Sequence, residues 1–169
     1  MADDLEESGA PTFDVAHLRQ VMGHFATGVT IITAMDGRDP VGFTAQSFQS
    51  LSLDPPLVLF SPQKASTTWP KIKAAGTFCV NILSDDQEAV CRTFATSGAD
   101  KFRGIGWVPG PRTGAPLLRD VLAWVEGEIV AEHDGGDHVI VVGKVLDLHV
   151  EHEGRPLLFY RGGFGRFEV

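Results

Sequence analysis

His133-Asp134-Gly135-Gly136-Asp137-His138 stands between two long runs rich in valine and isoleucine, Val121 to His133 and His138 to Val150. Paired glycines flanked by aspartates supply the positive-φ positions of a tight turn, so the stretch predicts a long β-hairpin with its tip at Asp134–Asp137. Working outward, the same texture recurs in shorter pieces. Val29–Ala34 is closed by the turn residues Asp36-Gly37-Arg38-Asp39-Pro40, and Val41–Phe48 reads as the returning strand. Asp54-Pro55-Pro56 breaks the chain before a short strand at Leu57–Phe60, and further strands are expected at Thr77–Leu83 and Pro156–Arg161. Nothing alternates strand and helix in the βαβ manner. Six or seven hairpin-connected strands predict a mainly β fold, a closed or nearly closed antiparallel barrel.

Two or three helices accompany these strands. Val15, Leu18, Met22 and Phe25 recur at helical spacing, with His17 and His24 read as surface residues. Thr67-Thr68-Trp69-Pro70 reads as a helix start, proline being tolerated in the first turn, and Gly76 as its stop. Ser84-Asp85-Asp86-Gln87 matches a capping box that opens a helix running to about Phe94.

The 169 residues carry 22 acids and 14 bases, a net charge of −8, which disfavours a general nucleic-acid binder. Residues 1–11 hold four acids and no base and read as a disordered tail preceding one domain, 12–169. Residues 61–119 reverse the sign, with eight bases against four acids. That positive middle is either a solvated surface or a place for a phosphate-bearing ligand. Of the two cysteines, Cys79 lies in the apolar run Phe78-Cys79-Val80 and reads as a buried structural thiol. No signal-peptide-like start and no membrane-spanning apolar run is present, so a cytoplasmic protein with no membrane partner is expected.

Several segments could carry chemistry. Gly104-Ile105-Gly106-Trp107-Val108-Pro109-Gly110 has spaced glycines, but no strand feeds it, and it fails the context of a dinucleotide fingerprint. The histidines and aspartates of residues 133–138 leave three readings open: a metal site, a bare turn, or a histidine facing a ligand. Their position on opposite strands argues against convergent metal ligands, and no metal is expected. Arg161-Gly162-Gly163-Phe164-Gly165-Arg166 is a single RGG-like element, read as a flexible segment over a flat ring or a loose C-terminus. The richest stretch is Val41 to Ser61. Gly42 allows close backbone approach, and Thr44, Gln46 and Ser47 place polar groups in an apolar wall. Ser61 to Thr68 then sets hydroxyls and Lys64 beside a helix start. This could hold a phosphate, or a hydroxyl could simply cap the helix.

In this order, several of these segments resemble the short-chain flavin reductases, a flavin-reductase-like family that supplies reduced flavin to two-component monooxygenases. The resemblance rests on Phe25–Thr33, the block from Gly42-Phe43-Thr44 to Pro55-Pro56, Ser61-Pro62, Phe78–Leu83, Asp100-Lys101-Phe102, His133–His138 and Leu157–Gly162. Within the family it is most similar to reductases partnering hydroxylases of phenols and steroid-derived phenols. It implies a split antiparallel β-barrel, a homodimer, FMN or FAD as flavin, and NADH or NADPH as co-substrate. It also implies that Pro40, Val41, Gly42, Phe43, Thr44, Gln46 and Ser47 line the isoalloxazine, with Ser61, Pro62 and Gln63 alongside. Thr67 and Thr68 would meet the flavin phosphate, and Phe94 the ribityl or adenylate portion. His138, Tyr160, Arg161 and Gly162 would meet the nicotinamide, with His138 orienting it or managing a proton. The rival expectations are a flavin carrier or sensor without reductase activity, and an oxidase of a pyridoxine-type phosphate.

Overall fold

The computed structural model describes residues 12–98 and 100–167; the acidic segment 1–11, expected to be a disordered tail, lies outside them. In chain order the elements are α1 (Val15–Met22), β1 (Thr27–Gly28), β2 (Thr30–Asp36), β3 (Asp39–Ala45), β4 (Gln49–Leu53), β5 (Pro56–Phe60) and α2 (Trp69–Ala75). They continue as β6 (Thr77–Ile82), α3 (Glu88–Ala95), β7 (Trp107–Pro109), β8 (Pro116–Leu118), β9 (Ala123–Gly135), β10 (His138–Val150), β11 (Leu157–Tyr160) and β12 (Gly163–Arg166).

The long hairpin is β9–β10, and its tip is tighter than expected. Pairing reaches Gly135 opposite His138, so Gly136 and Asp137 alone form the turn. A seven-stranded antiparallel sheet runs β3-β2-β6-β9-β10-β5-β4, beside a three-stranded sheet β1-β11-β12 and the pair β7-β8. Among the described residues no ladder joins the end strands β3 and β4, so of the expected closed or nearly closed barrels the open-seamed, split form holds. The sheet still curls. Phe43 on β3 and Phe60 on β5, near opposite ends of the strand order, have ring centroids 6.4 Å apart. Register shifts in β10 at Val142/Gly143 and Val145/Asp147 add curvature. At Gly127 and Gly143 a Cβ would come within 2.6 and 2.4 Å of Cζ of Phe78, so these two positions leave the room that ring occupies.

The barrel interior is filled by Ile32, Val58, Phe60, Phe78, Val80 and Val141, with Trp69 and Ile72 of α2 packed against them. A second cluster, including Ile31, Leu83, Phe94, Val121 and Leu157, lies between the sheet and α3. Burying each large apolar side chain contributes about 1.5–3 kcal/mol. Two polar groups are buried with full partners. Asn81 Nδ2 donates to Ile31 O and Pro116 O at 3.3 Å, and its Oδ1 accepts from Leu118 N at 2.8 Å. The Glu126 carboxylate, fully buried, accepts from the amides of Arg112 and Thr113 at 3.0 and 2.9 Å and from the Thr113 hydroxyl, tying the β7–β8 loop to β9.

Several local expectations shift. The strand expected at Val41–Phe48 is β3, which starts and stops earlier because Gln46 to Phe48 leave the ladder at the seam. The capping box is half made: Gln87 Oε1 accepts from Ser84 N at 3.1 Å, but the Ser84 hydroxyl bonds Asp86 and Asp120 O, and α3 begins only at Glu88. The C-terminal Arg161–Arg166 is an ordered hairpin arm. Arg161 and Gly162 both have positive φ, 50° and 81°, the geometry of a primed two-residue turn between β11 and β12. Cys79 is buried as expected, and burial raises its thiol pKa far above the usual value. Helix α1, with the Asp14 carboxylate accepting from His17 N at 2.8 Å, buries none of its residues.

Candidate functional site

A cleft lies beside the seam. Its first lobe, about 520 Å³, is bordered by Phe43, Thr44, Ala45, Gln46 and Ser47 from the end of β3, by Ser61–Gln63 and Ala65–Thr68, by Phe94, Ala95 and Ser97, and by Lys101 and His138. A second lobe of about 440 Å³ continues along Asp39, Pro40, Val41 and Gly42, opposite Lys71, Gly98, Asp100 and Phe102, and shares Thr67, Thr68 and Lys101 with the first. All thirteen positions expected to contact flavin, from Pro40 to Phe94, therefore border one cleft or the other lobe of it.

The walls are held by bonds that cross the seam. Ser47 Oγ accepts from Ser61 N at 2.8 Å, fixing the exit of β3 against the exit of β5. Thr27 Oγ1 donates to Gln46 Oε1 at 3.2 Å. The Thr44 hydroxyl donates to Cys91 O at 2.7 Å, so it anchors β3 to α3. Gly42 serves close approach, but the group that approaches is protein: a Cβ there would lie 2.9 Å from both Ile32 O and Cε1 of Phe94. Phe94 is fully buried and braces the floor of the cleft from beneath.

At the start of α2 the capping alternative holds, and the capping residue is Ser66. Its Oγ accepts from Thr68 N at 3.2 Å and Trp69 N at 3.1 Å, while Thr68 makes no side-chain cap. Those amides are thus satisfied within the protein, and the Thr67 and Thr68 hydroxyls are what this edge offers a ligand. Lys64 is a correction as well. Its ammonium pairs with Asp134 at the hairpin, holding that carboxyl below its ordinary range, and it does not border the cleft.

The cation shared by both lobes, and partly buried, is Lys101. Its Nζ donates to Gly42 O at 3.0 Å and Phe94 O at 2.9 Å, and burial lowers its pKa from the usual lysine value. No role was read for it in the sequence; the only signal was its place in Asp100-Lys101-Phe102, and its partner Gly42 is 59 residues away. His138 borders the first lobe, where the bridge Gln63–His138 and the bond Val139 N to Pro62 O at 3.0 Å hold its backbone. Its Nδ1 lies 2.6 Å from Asp137 Oδ1, and this contact holds the Asp137 carboxyl below its usual range. Since a carboxylate only accepts, Nδ1 carries the proton and Nε2 is left for other partners. Among the described residues, no group of three or more His, Cys, Asp or Glu side chains is placed to hold a metal ion. Tyr160, Arg161 and Gly162 do not border the cleft. They sit at the β11–β12 turn against the end of α1, where Arg161 N donates to Gly23 O at 2.9 Å and Tyr160 packs edge-on to His24.

An open trough with a mainly polar lining of hydroxyls and side-chain amides, a few apolar rings and one partly desolvated ammonium suits a flat, phosphate-bearing ligand. Comparison with known proteins agrees. The pattern of the flavin reductase like domain matches residues 22–168. The reductase subunit HsaB of a flavin-dependent monooxygenase from Rhodococcus jostii is 47% identical over 159 residues, covering 94% of this chain and 81% of that protein. The FMN reductase (NADH) SmoA of Agrobacterium fabrum is 42% identical over 149 residues, covering 88% and 84%. Among solved structures, the NADH:FAD oxidoreductase SgcE6 of Streptomyces globisporus, in complex with NAD and FAD fragments, superposes with a TM-score of 0.88 at 39% identity, covering 94% of this chain and 98% of that one. By the extent of these matches and the split barrel they share, the chain belongs to the flavin reductase like domain family.

Proposed function

We propose that the chain is an NAD(P)H-dependent flavin reductase, a single catalytic domain over residues 12–169 that passes reduced FMN or FAD to a separate flavin-dependent monooxygenase. The observation that carries this reading is the convergence of residues 40–47, 61–63, 67–68 and 94 on one cleft in a chain of this family. When bound, the flavin supplies the redox chemistry by accepting a hydride from the nicotinamide. The protein supplies position. Residues 40–47 face the ring system, with the Ser47–Ser61 bond keeping the wall rigid. Thr67 and Thr68 would donate to phosphate oxygens, and Lys101 would neutralise their charge.

His138, held through Nδ1 by Asp137 and bordering the first lobe, would offer Nε2 to a nicotinamide bound there. A homodimer fits the uncovered apolar stripe Val15, Leu18, Val21, Met22 and Phe25, all exposed in the single chain. Burying that stripe against a second copy would also bring the neighbouring Tyr160-Arg161-Gly162 turn into an interface, where it would meet a partner's nicotinamide. Two unpaired, buried cysteines suit a reducing, cytoplasmic location.

The test is steady-state oxidation of NADH and NADPH in the presence of FMN or FAD. Flavin-dependent oxidation is expected, and no oxidation with either pair would overturn the reading. His138→Ala should raise KM for the dinucleotide; unchanged kinetics would reduce His138 to a hairpin side chain.

A further inference from the structure

The spaced glycines of Gly104–Gly110, which fit no dinucleotide fingerprint, have a use beside the cleft. They lead from Lys101-Phe102 into the β7–β8 hairpin, which among the described residues pairs only within itself. A Cβ at Gly106 would lie 2.8 Å from Cδ of Arg119, and one at Gly110 would collide with the Glu126 carboxylate, so both close approaches need glycine. Buried polar groups fasten the hairpin at both ends. At its base, Leu118 N donates to Asn81 Oδ1 at 2.8 Å, and Trp107 is the register partner of Leu118. At its tip, the fully buried Glu126 accepts from the amides of Arg112 and Thr113 and from the Thr113 hydroxyl. A buried charge is a costly way to gain stability, because desolvation offsets much of what its partners return. What it does here is fix where the hairpin lies.

The residue so placed is Trp107. Its ring meets Phe102 edge-on at 6.2 Å, and Phe102 meets Phe94 edge-on at 5.0 Å. Phe94 borders the first lobe, Phe102 borders the second, and Phe94 is also the ring that a Cβ on Gly42 would strike. The three rings form one edge-to-face row from the hairpin to the back of β3. Lys101 precedes Phe102 in the chain, and its ammonium reaches the carbonyls of Gly42 and Phe94. Residues 100–106 form neither helix nor strand. Their bonds Arg103 N to Asp100 O and Ile105 N to Phe102 O stay within the segment, and Arg119 N to Gly106 O joins its end to the hairpin. This wall of the cleft is therefore set by side chains: Lys101 on one side, and Phe102 between Phe94 and Trp107.

We propose, resting on the reading of the cleft as a flavin site, that Trp107 is a positioning residue of that site. It holds the Phe102 ring against Phe94 and so keeps the Lys101 ammonium on the carbonyls of Gly42 and Phe94. Trp107 itself borders neither lobe and acts through Phe102.

The experiment is equilibrium binding of FMN and FAD to the full chain by flavin fluorescence quenching, with a urea melt of each variant. Trp107→Leu and Trp107→Met, which keep an apolar side chain but no ring, should raise the flavin dissociation constant about fivefold, the size of one lost hydrogen bond. Trp107→Phe, which restores an aromatic edge, should bring it back close to the unmodified value. A double-mutant cycle separates positioning from a general loss of stability. In a Lys101→Met background, Trp107→Leu should change flavin affinity little, because the group it positions is gone. Unchanged affinity in the folded ringless variants, no recovery in Trp107→Phe, or full additivity with Lys101→Met would each overturn the role of Trp107 and leave the flavin site standing. Binding of neither flavin to the unmodified protein would overturn the flavin-site reading, and this role with it.

Discussion

At the scale of single residues, the site depends on contacts that leave no slack. Gly42 is pinned between a backbone carbonyl and the Phe94 ring, and the carbonyl of Ile32 cannot move without disturbing the β2–β3 ladder. Gly42→Ala should therefore lose about 1–3 kcal/mol of stability, as overpacked positions do, read as a lower urea midpoint, and weaken flavin binding with it. Lys101 gives a pH signature. Burial holds its pKa below the usual 10.5, so as pH rises toward that value the folded protein loses this charge before a solvated lysine would. Affinity for a flavin phosphate should fall across that window, and Lys101→Arg, which keeps its charge, should flatten the profile. The stability term has the opposite sign: the unfolded chain holds the proton more tightly there, so this group's contribution to folding rises with pH. Neither residue could have been assigned these roles from its neighbours. Gly42 reads as a place for close backbone approach, and Lys101 only as part of the Asp100-Lys101-Phe102 segment that carries the family resemblance.

Among elements, the entry to α2 separates stability from binding within three residues. Ser66 caps and Thr68 does not, although both are hydroxyls of the same local pattern. Ser66→Ala should cost about 1 kcal/mol in a thermal or urea melt, the usual worth of a cap. Thr68→Val should leave the melt nearly unchanged and weaken flavin binding. The reverse pattern would return Thr68 to a capping role and move the phosphate elsewhere. The same distinction explains which elements could be read from the chain. The β9–β10 hairpin and β2, β3, β5, β6 and β11 announce themselves through runs of β-branched, leucine and aromatic residues bounded by turn residues. By contrast, β4 (Gln49-Ser50-Leu51-Ser52-Leu53) and β12 (Gly163-Phe164-Gly165-Arg166) have little strand propensity of their own. They are strands because β5 and β11 present edges for them to pair with. The C-terminal arm is further held by Arg92, whose guanidinium lies 4.8 Å over the Phe164 ring.

At the scale of the whole molecule, the uncovered face of α1 and the open seam matter most. Periodicity identified α1 as amphipathic, but among the described residues its apolar side stays exposed, and Phe25 beyond it is 72% exposed. If a second copy covers it, a Leu18→Glu/Met22→Glu variant should sediment as a monomer at micromolar concentration with the barrel still folded. An unchanged sedimentation coefficient would put the interface elsewhere. By itself the sequence determined the strand-rich class, the long hairpin and the helical segments, and its family resemblance pointed to positions 40–44, 46–47, 61–63 and 67–68, which border the cleft. Turn chemistry and side-chain periodicity are local, and each is expressed within a few residues of where it is written. Only the tertiary structure decided that the barrel stays open between β3 and β4, and that Lys101 rather than Lys64 borders the cleft. It also decided that Tyr160–Gly162 sit apart from His138 within one chain. Each of these outcomes is a competition among groups distant in sequence for the same partner. Asp134 takes Lys64, the carbonyls of Gly42 and Phe94 take Lys101, and the curl of the sheet determines which of them meet.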